Sequence, residues 1–181
     1  NFINKNLLKN YKNIRAYNFA LGGIEEKKDF YYPYYKNQCV HYFCSFDKEY
    51  IKNSLKITFK KKKFRITKKP MYIKRYDSIN LKCRPKFIKI DVEGYDHEVL
   101  KGMKKTIIKY NPIVLVEFNK NNFFIIKKFL KDYKPWVYFY EKNKFKVFNK
   151  NMIDKEISRT NKFNLMSIRN VFFIPKNHEW I

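Results

Sequence analysis

The stretch that most constrains this chain is Phe87–Asp96, FIKIDVEGYD, because it combines a buried-strand pattern with a cluster of acids on a glycine turn. Phe87, Ile88, Ile90 and Val92 give the near-continuous apolar run expected of a parallel strand covered on both faces. Asp91 and Glu93 fall at its carboxyl end, the end where open α/β sheets bind ligands. Gly94 allows a turn without a Cβ penalty, and the spacing of Val99, Leu100, Met103, Ile107 and Ile108 predicts an amphipathic helix that ends near Tyr110, before Asn111 and Pro112. Ile113–Val116 then reads as a second parallel strand closed by Glu117.

The same alternation continues. Residues 121–132 predict a helix burying Phe124, Ile125, Phe129 and Leu130; WVYFY and FKVF follow as strands across a charged turn, and Val171–Ile174 closes the series at Pro175. Upstream, IRAYNFAL (Ile14–Leu21) predicts a short strand ending at Gly22 and Gly23. The opening run NFINKNLLKN has the spacing of an amphipathic helix. Strand–helix–strand order with right-handed crossovers implies an α/β domain with a mostly parallel sheet, spanning residues 1–181 without a dividing linker. Residues 31–69 stand apart as an aromatic, basic insertion. There Leu55, Ile57, Phe59, Phe64 and Ile66 alternate with polar residues, which predicts a basic β-hairpin.

Composition restricts the partners. The formal net charge is +25, which suits a polyanion-binding surface. Lys, Asn, Ile, Phe and Tyr are all abundant and all specified by A/T-rich codons, so base composition explains the basicity equally well. No apolar run approaches the ~20 residues that span a bilayer. The three cysteines, Cys39, Cys44 and Cys83, form no disulfide framework and suit a reducing, cytoplasmic compartment. Cys39, His41 and Cys44 match no zinc ribbon or finger spacing and read as ordinary packing residues, so no metal site is expected.

FIKIDVEGYDHEVLKG followed by IIKYNPIVLVEF resembles the signature of FkbM-type methyltransferases, which are S-adenosylmethionine-dependent enzymes with the doubly wound, Rossmann-like class I fold. LLKNYKNIRAYNFALGG resembles the family's helix and third strand, YDSINL its "DSL"-like segment, and NVFFIP its last strand. The resemblance implies S-adenosylmethionine as cofactor, with Ala20 and Leu21 near the adenine ring and Asp91 near the methyl group. The family's glycine-rich first strand and turn and the acid that takes the ribose hydroxyls have no counterpart here. The chain therefore reads as an N-terminally truncated domain whose cofactor affinity is weak in isolation. Where the family more often carries Glu, this chain has Asp96, which reads first as a helix cap and second as a catalytic acid.

Methyl transfer from a sulfonium donor to a hydroxyl is an in-line displacement that needs positioning and a group to take the proton. Asp91 is the first choice for that group. Glu93 and Glu117 are the next acids able to converge on it, Lys89 lies on the same strand face to pair with them, and His97 is the nearby histidine. Asp91 and Glu93 read alternatively as caps that neutralise the helix's amino end. The resulting expectation is an O-methyltransferase acting on a small-molecule or glycan hydroxyl, with residues 31–69 choosing the acceptor. Beside it stand a nucleic-acid-binding module using residues 55–75 and an inactive methyltransferase-like remnant. Oligomeric state has no sequence signal.

Overall fold

In a computed structural model the described residues are 13–60, 62–81, 83–92, 94–139, 143–149, 151, 152, 154 and 169–178. The helix expected at the start of the chain lies outside them. Two sheets share the rest. The first is built from β1 (Ala20–Leu21), β2 (Glu26–Tyr35), β3 (Gln38–Cys39) and β4 (Arg65–Lys74), in the order β1-β4-β2-β3. Its backbone is the antiparallel ladder from Glu26↔Ile73 to Tyr34↔Arg65, and β1 adds to β4 in parallel. Helix α1 (Lys48–Phe59) belongs to this lobe.

The second sheet holds the acid-bearing strand. Here β5 (Phe87–Ile90), α2 (Asp96–Gly102), α3 (Lys104–Tyr110), β6 (Ile113–Glu117), α4 (Lys120–Phe129), β7 (Tyr133–Phe139), β8 (Lys144–Val147) and β9 (Asn170–Pro175) give the strand order β5-β6-β9-β7-β8. The expectation of a mostly parallel sheet needs correction. Helical crossovers do make β5, β6 and β7 run the same way, but β9 inserts antiparallel between β6 and β7, and β8 folds back on β7. Helix-spaced strands announce their direction through the crossover, whereas a strand that returns from a distant loop carries no such signal.

The core lies between this sheet and its helices. Val99, Leu100, Met103, Ile107, Val114, Val116, Phe123, Ile126, Leu130, Val171 and Phe173 are all buried in it. Phe123 stacks edge-on against Phe148 at 5.3 Å, and both rings pack on Phe118. Two helix faces turn out differently from the sequence expectation. In α4 the fully buried apolar side chains are Phe123 and Ile126, while Phe124 and Ile125 are exposed; in α3, Ile108 faces solvent. The single expected helix is also interrupted at Met103, which separates α2 from α3. Asp77 explains the restart: its carboxylate accepts hydrogen bonds from the backbone N–H groups of Lys105 (2.7 Å) and Thr106 (3.0 Å) and from the Thr106 hydroxyl (2.7 Å). It acts as an N-terminal cap supplied from outside the helix.

The expected hairpin over Leu55–Ile66 does not form. Asp47 caps a helix instead, accepting from the N–H groups of Glu49 (2.9 Å) and Tyr50 (3.0 Å), and the four-residue spacing of Ile51 and Leu55 buries both. Ile57, which completed the apparent alternation, is 69% exposed. Of the strand expected over Ile14–Leu21, only Ala20–Leu21 pairs. The two sheets meet where α2 ends: a Cβ on Gly102 would sit 2.1 Å from the Gly22 carbonyl oxygen, and one on Gly22 would sit 2.6 Å from the Ile73 side chain. These two glycines permit a backbone approach that brings β1 alongside the acid-bearing half.

Candidate functional site

The parallel register of β5 and β6 assembles the acids. Ile90 pairs with Val116, so the next residues, Asp91 and Glu117, stand level at the carboxyl ends of neighbouring strands, about 4.8 Å apart in backbone spacing. Gly94 adopts φ +91°, and the turn it makes leads into α2, whose first turn carries Asp96. Asp96 is 1% exposed. The Asn122 side chain, itself buried, donates to the Gly94 carbonyl and fixes that turn from α4.

Two of the three carboxylates are raised. Burial pushes the Asp96 carboxyl up to about 6, with the charges of Glu117 and Asp91 adding to the shift, and its Oδ1 has no hydrogen-bond partner among the described residues. Burial also raises Glu117, as does the Asp91 charge, while Lys89 and Arg169 pull it down. Lys89 donates to Asp91 at 2.7 Å, and that hydrogen bond, with the Asp91 charge, raises the lysine. Both partners are about half exposed, so their pair contributes little to stability.

Asp91 and Lys89 open onto a cavity of about 840 Å³ between the two sheets. Phe19, Ala20 and Leu21 also line it, with Tyr95 and Met103. Its size is that of a small-molecule site. Among the described residues β1 and β5 are both edge strands, and residues of both line the cavity. That arrangement revises one expectation: β5 is not covered on both faces, and Phe87 is 50% exposed.

A family model described as the methyltransferase FkbM domain matches residues 2–133. The chain belongs to the FkbM methyltransferase family. The match runs through the acidic turn, both parallel strands and α4, and stops where β7 begins. No curated protein and no solved structure matched the chain.

Within this FkbM methyltransferase domain, the structure brings together Asp91, Lys89, Ala20 and Leu21 around one cavity and sets Glu117 level with Asp91. It places His97 elsewhere: His97 borders a neighbouring cavity with Asn119 and Asn122, its Nε2 lies 3.2 Å from Glu98 Oε1, and its Nδ1 has no partner among the described residues. Glu93 lies outside the described residues. Asp96 is not the cap it was expected to be. Tyr95 occupies the N-cap position and no side chain caps it, so Asp96 is a buried acid within the helix. Three contributors were missed in the sequence. Tyr95 had only its place in the turn as a signal, Asn122 lay within the expected helix with nothing to mark its reach to Gly94, and Arg169 acquires its role from β9's return beside β6.

Proposed function

We propose that this FkbM methyltransferase domain transfers a methyl group from S-adenosylmethionine to a hydroxyl of a small metabolite, glycan or lipid-linked sugar. One observation carries the reading: Asp91, level with Glu117 at the end of parallel strands, lines the same cavity as Ala20 and Leu21. The residues present fit the adenosine end of the cofactor. Leu21, Phe19 and Met103 supply apolar walls for a flat ring, Ala20 leaves space beside it, and Asp91 in the same lining complements a cationic sulfonium. The chain's four glycines include no glycine-rich run for the amino-acid end. When bound, S-adenosylmethionine supplies an electrophilic methyl on sulfur.

The chain's own groups orient the acceptor and take its proton. Asp91 accepts the hydrogen bond of the acceptor hydroxyl and receives the proton as the oxygen–carbon bond forms and the carbon–sulfur bond breaks. Lys89 positions the Asp91 carboxylate through their 2.7 Å hydrogen bond. Glu117, raised by burial, is the neighbouring acid onto which that proton moves. The mainly apolar walls suit a reaction in which charge is dispersed.

Incubation of the protein with methyl-labelled S-adenosylmethionine and a panel of sugar, lipid-linked and small-molecule alcohols tests this. A labelled methyl ether, lost in Asp91→Ala, supports the reading. Absence of transfer to every alcohol, or transfer unchanged in Asp91→Ala, removes it.

A further inference from the structure

The β2–β3 lobe carries three metal-binding side chains that the methyl-transfer reading does not use. The Sγ atoms of Cys39 and Cys44 lie 3.8 Å apart, and a ring nitrogen of His41 joins them so that all three donor atoms fall within 4.8 Å of one another. Two thiolates bound at about 2.3 Å to a tetrahedral zinc ion are themselves about 3.8 Å apart. The sulfurs are therefore already at the separation that such an ion imposes. A disulfide requires about 2.05 Å, so the loop is set for an ion more closely than for a bond.

The backbone holds this arrangement from both ends. Cys39 pairs with Tyr34 in the β2–β3 ladder, and Val40 N–H donates to the Pro33 carbonyl at 2.9 Å. Residues His41–Phe43 form one 3-10 turn, closed by Phe43 N–H to Val40 O (3.0 Å) and Cys44 N–H to His41 O (3.1 Å). Ser45 and Tyr31 then exchange hydrogen bonds at 3.2 and 2.9 Å, which returns the chain to β2. Six residues, Cys39 to Cys44, with fixed hydrogen bonds on either side, thus present two sulfurs and an imidazole without rearrangement. Two thiolates also neutralise a divalent ion, so binding adds no net charge to a chain already at +25.

We propose that Cys39, His41 and Cys44 form a zinc site with three protein donors. His41 and Cys44 also line the cavity that Ala20 and Asp91 share, so the fourth position falls to water or to an oxygen of a molecule in that cavity. A zinc ion there ties the lobe's aromatic loop to the wall of the candidate active site.

The test uses the whole reduced chain with Zn²⁺ or Co²⁺ alone. Chelator competition gives one Zn²⁺ per chain, and Co²⁺ produces thiolate charge-transfer absorption with the visible bands of a tetrahedral ion. Cys39→Ser and Cys44→Ser each weaken Zn²⁺ binding at least about 100-fold, His41→Asn at least about tenfold, and Cys83→Ser leaves it unchanged. A second measurement needs no variant: Zn²⁺ slows alkylation of Cys39 and Cys44 at least about tenfold but not that of exposed Cys83. The proposal is overturned by a wild-type chain that takes no Zn²⁺, by binding that survives both serine substitutions, by equal alkylation of all three cysteines with Zn²⁺ present, or by a chain that excludes metal and instead closes a Cys39–Cys44 disulfide.

Discussion

The two halves of this domain are held together differently. The half that carries Asp91 and Glu117 packs its sheet on α2, α3 and α4 through fully buried side chains such as Leu100, Val114, Ile126 and Phe173. Of its large apolar side chains, the β2–β4 lobe buries Ile51, Leu55 and Ile73. The lobe relies otherwise on its long ladder and on partly exposed ring pairs such as Phe30–Phe46 (4.7 Å) and Phe59–Phe64 (5.2 Å). Lysines lie over several of these rings, as Lys62 does over Tyr35 at 4.8 Å. The contrast teaches a division of labour. A dense core fixes strand ends to the tolerance that chemistry needs, while a thinly packed aromatic lobe is free to vary its surface for an acceptor.

Activity gives the largest test of that division. In the methyl-transfer assay, Asp91→Ala lowers kcat by about 10²–10⁴, the range of a lost proton acceptor. An equal loss from Ile57→Ala, on the exposed face of α1, would show that the lobe and not the strand end controls the chemistry. Stability separates the halves next. Phe173→Ala empties a fully buried site and destabilises by about 3–5 kcal/mol in a denaturant melt. A smaller loss would mean that the core is less dense than described.

Asp96 gives an effect of similar size with a defined pH window. Its folded-state value is raised from 3.8 to about 6, so the folded protein holds a proton that the unfolded chain releases. The sign follows: full stability below pH ~3.8, a progressive loss as pH rises toward about 6, and a constant penalty above, on the order of 3 kcal/mol in total. Melts of wild type and Asp96→Asn at pH 4 and pH 8 check this. The wild type loses more stability than the variant on going to pH 8, and parallel losses would remove Asp96 from the acid cluster. Removing the cap in Asp77→Ala costs about 1–3 kcal/mol, because two backbone donors and a hydroxyl at the start of α3 lose their acceptor. Ile57→Ala, 69% exposed, changes stability by no more than about 0.5 kcal/mol, which sets the floor of the series.

The same contrast governs what could be read from the sequence. Strand, acidic turn, helix and strand were legible from Phe87 to Glu117 because burial imposes a period and the turn residues mark its ends. The carboxyl-end position of Asp91 and Glu117 followed from that pattern, and their level register from parallel pairing. In α4 the helix was legible but its face was not, since Phe123 and Phe124 are alike in chemistry and only packing chooses between them. In the lobe, Leu55, Ile57 and Phe59 fit a strand as well as Ile51 and Leu55 fit a helix, and the Asp47 cap decided the matter. Asp77 and Arg169 were illegible in principle, because each acts on residues far away in the chain: Lys105 and Thr106 for the first, Glu117 for the second.

The cofactor's position is the point on which the account turns, and backbone NMR during titration with S-adenosylmethionine reads it even at weak affinity. The account predicts concentration-dependent amide shifts confined to residues about the shared cavity, Ala20, Leu21, Asp91 and Tyr95 foremost. Shifts centred on the β7–β8 hairpin or on the exposed face of α1, with those four residues unmoved at saturation, would contradict it.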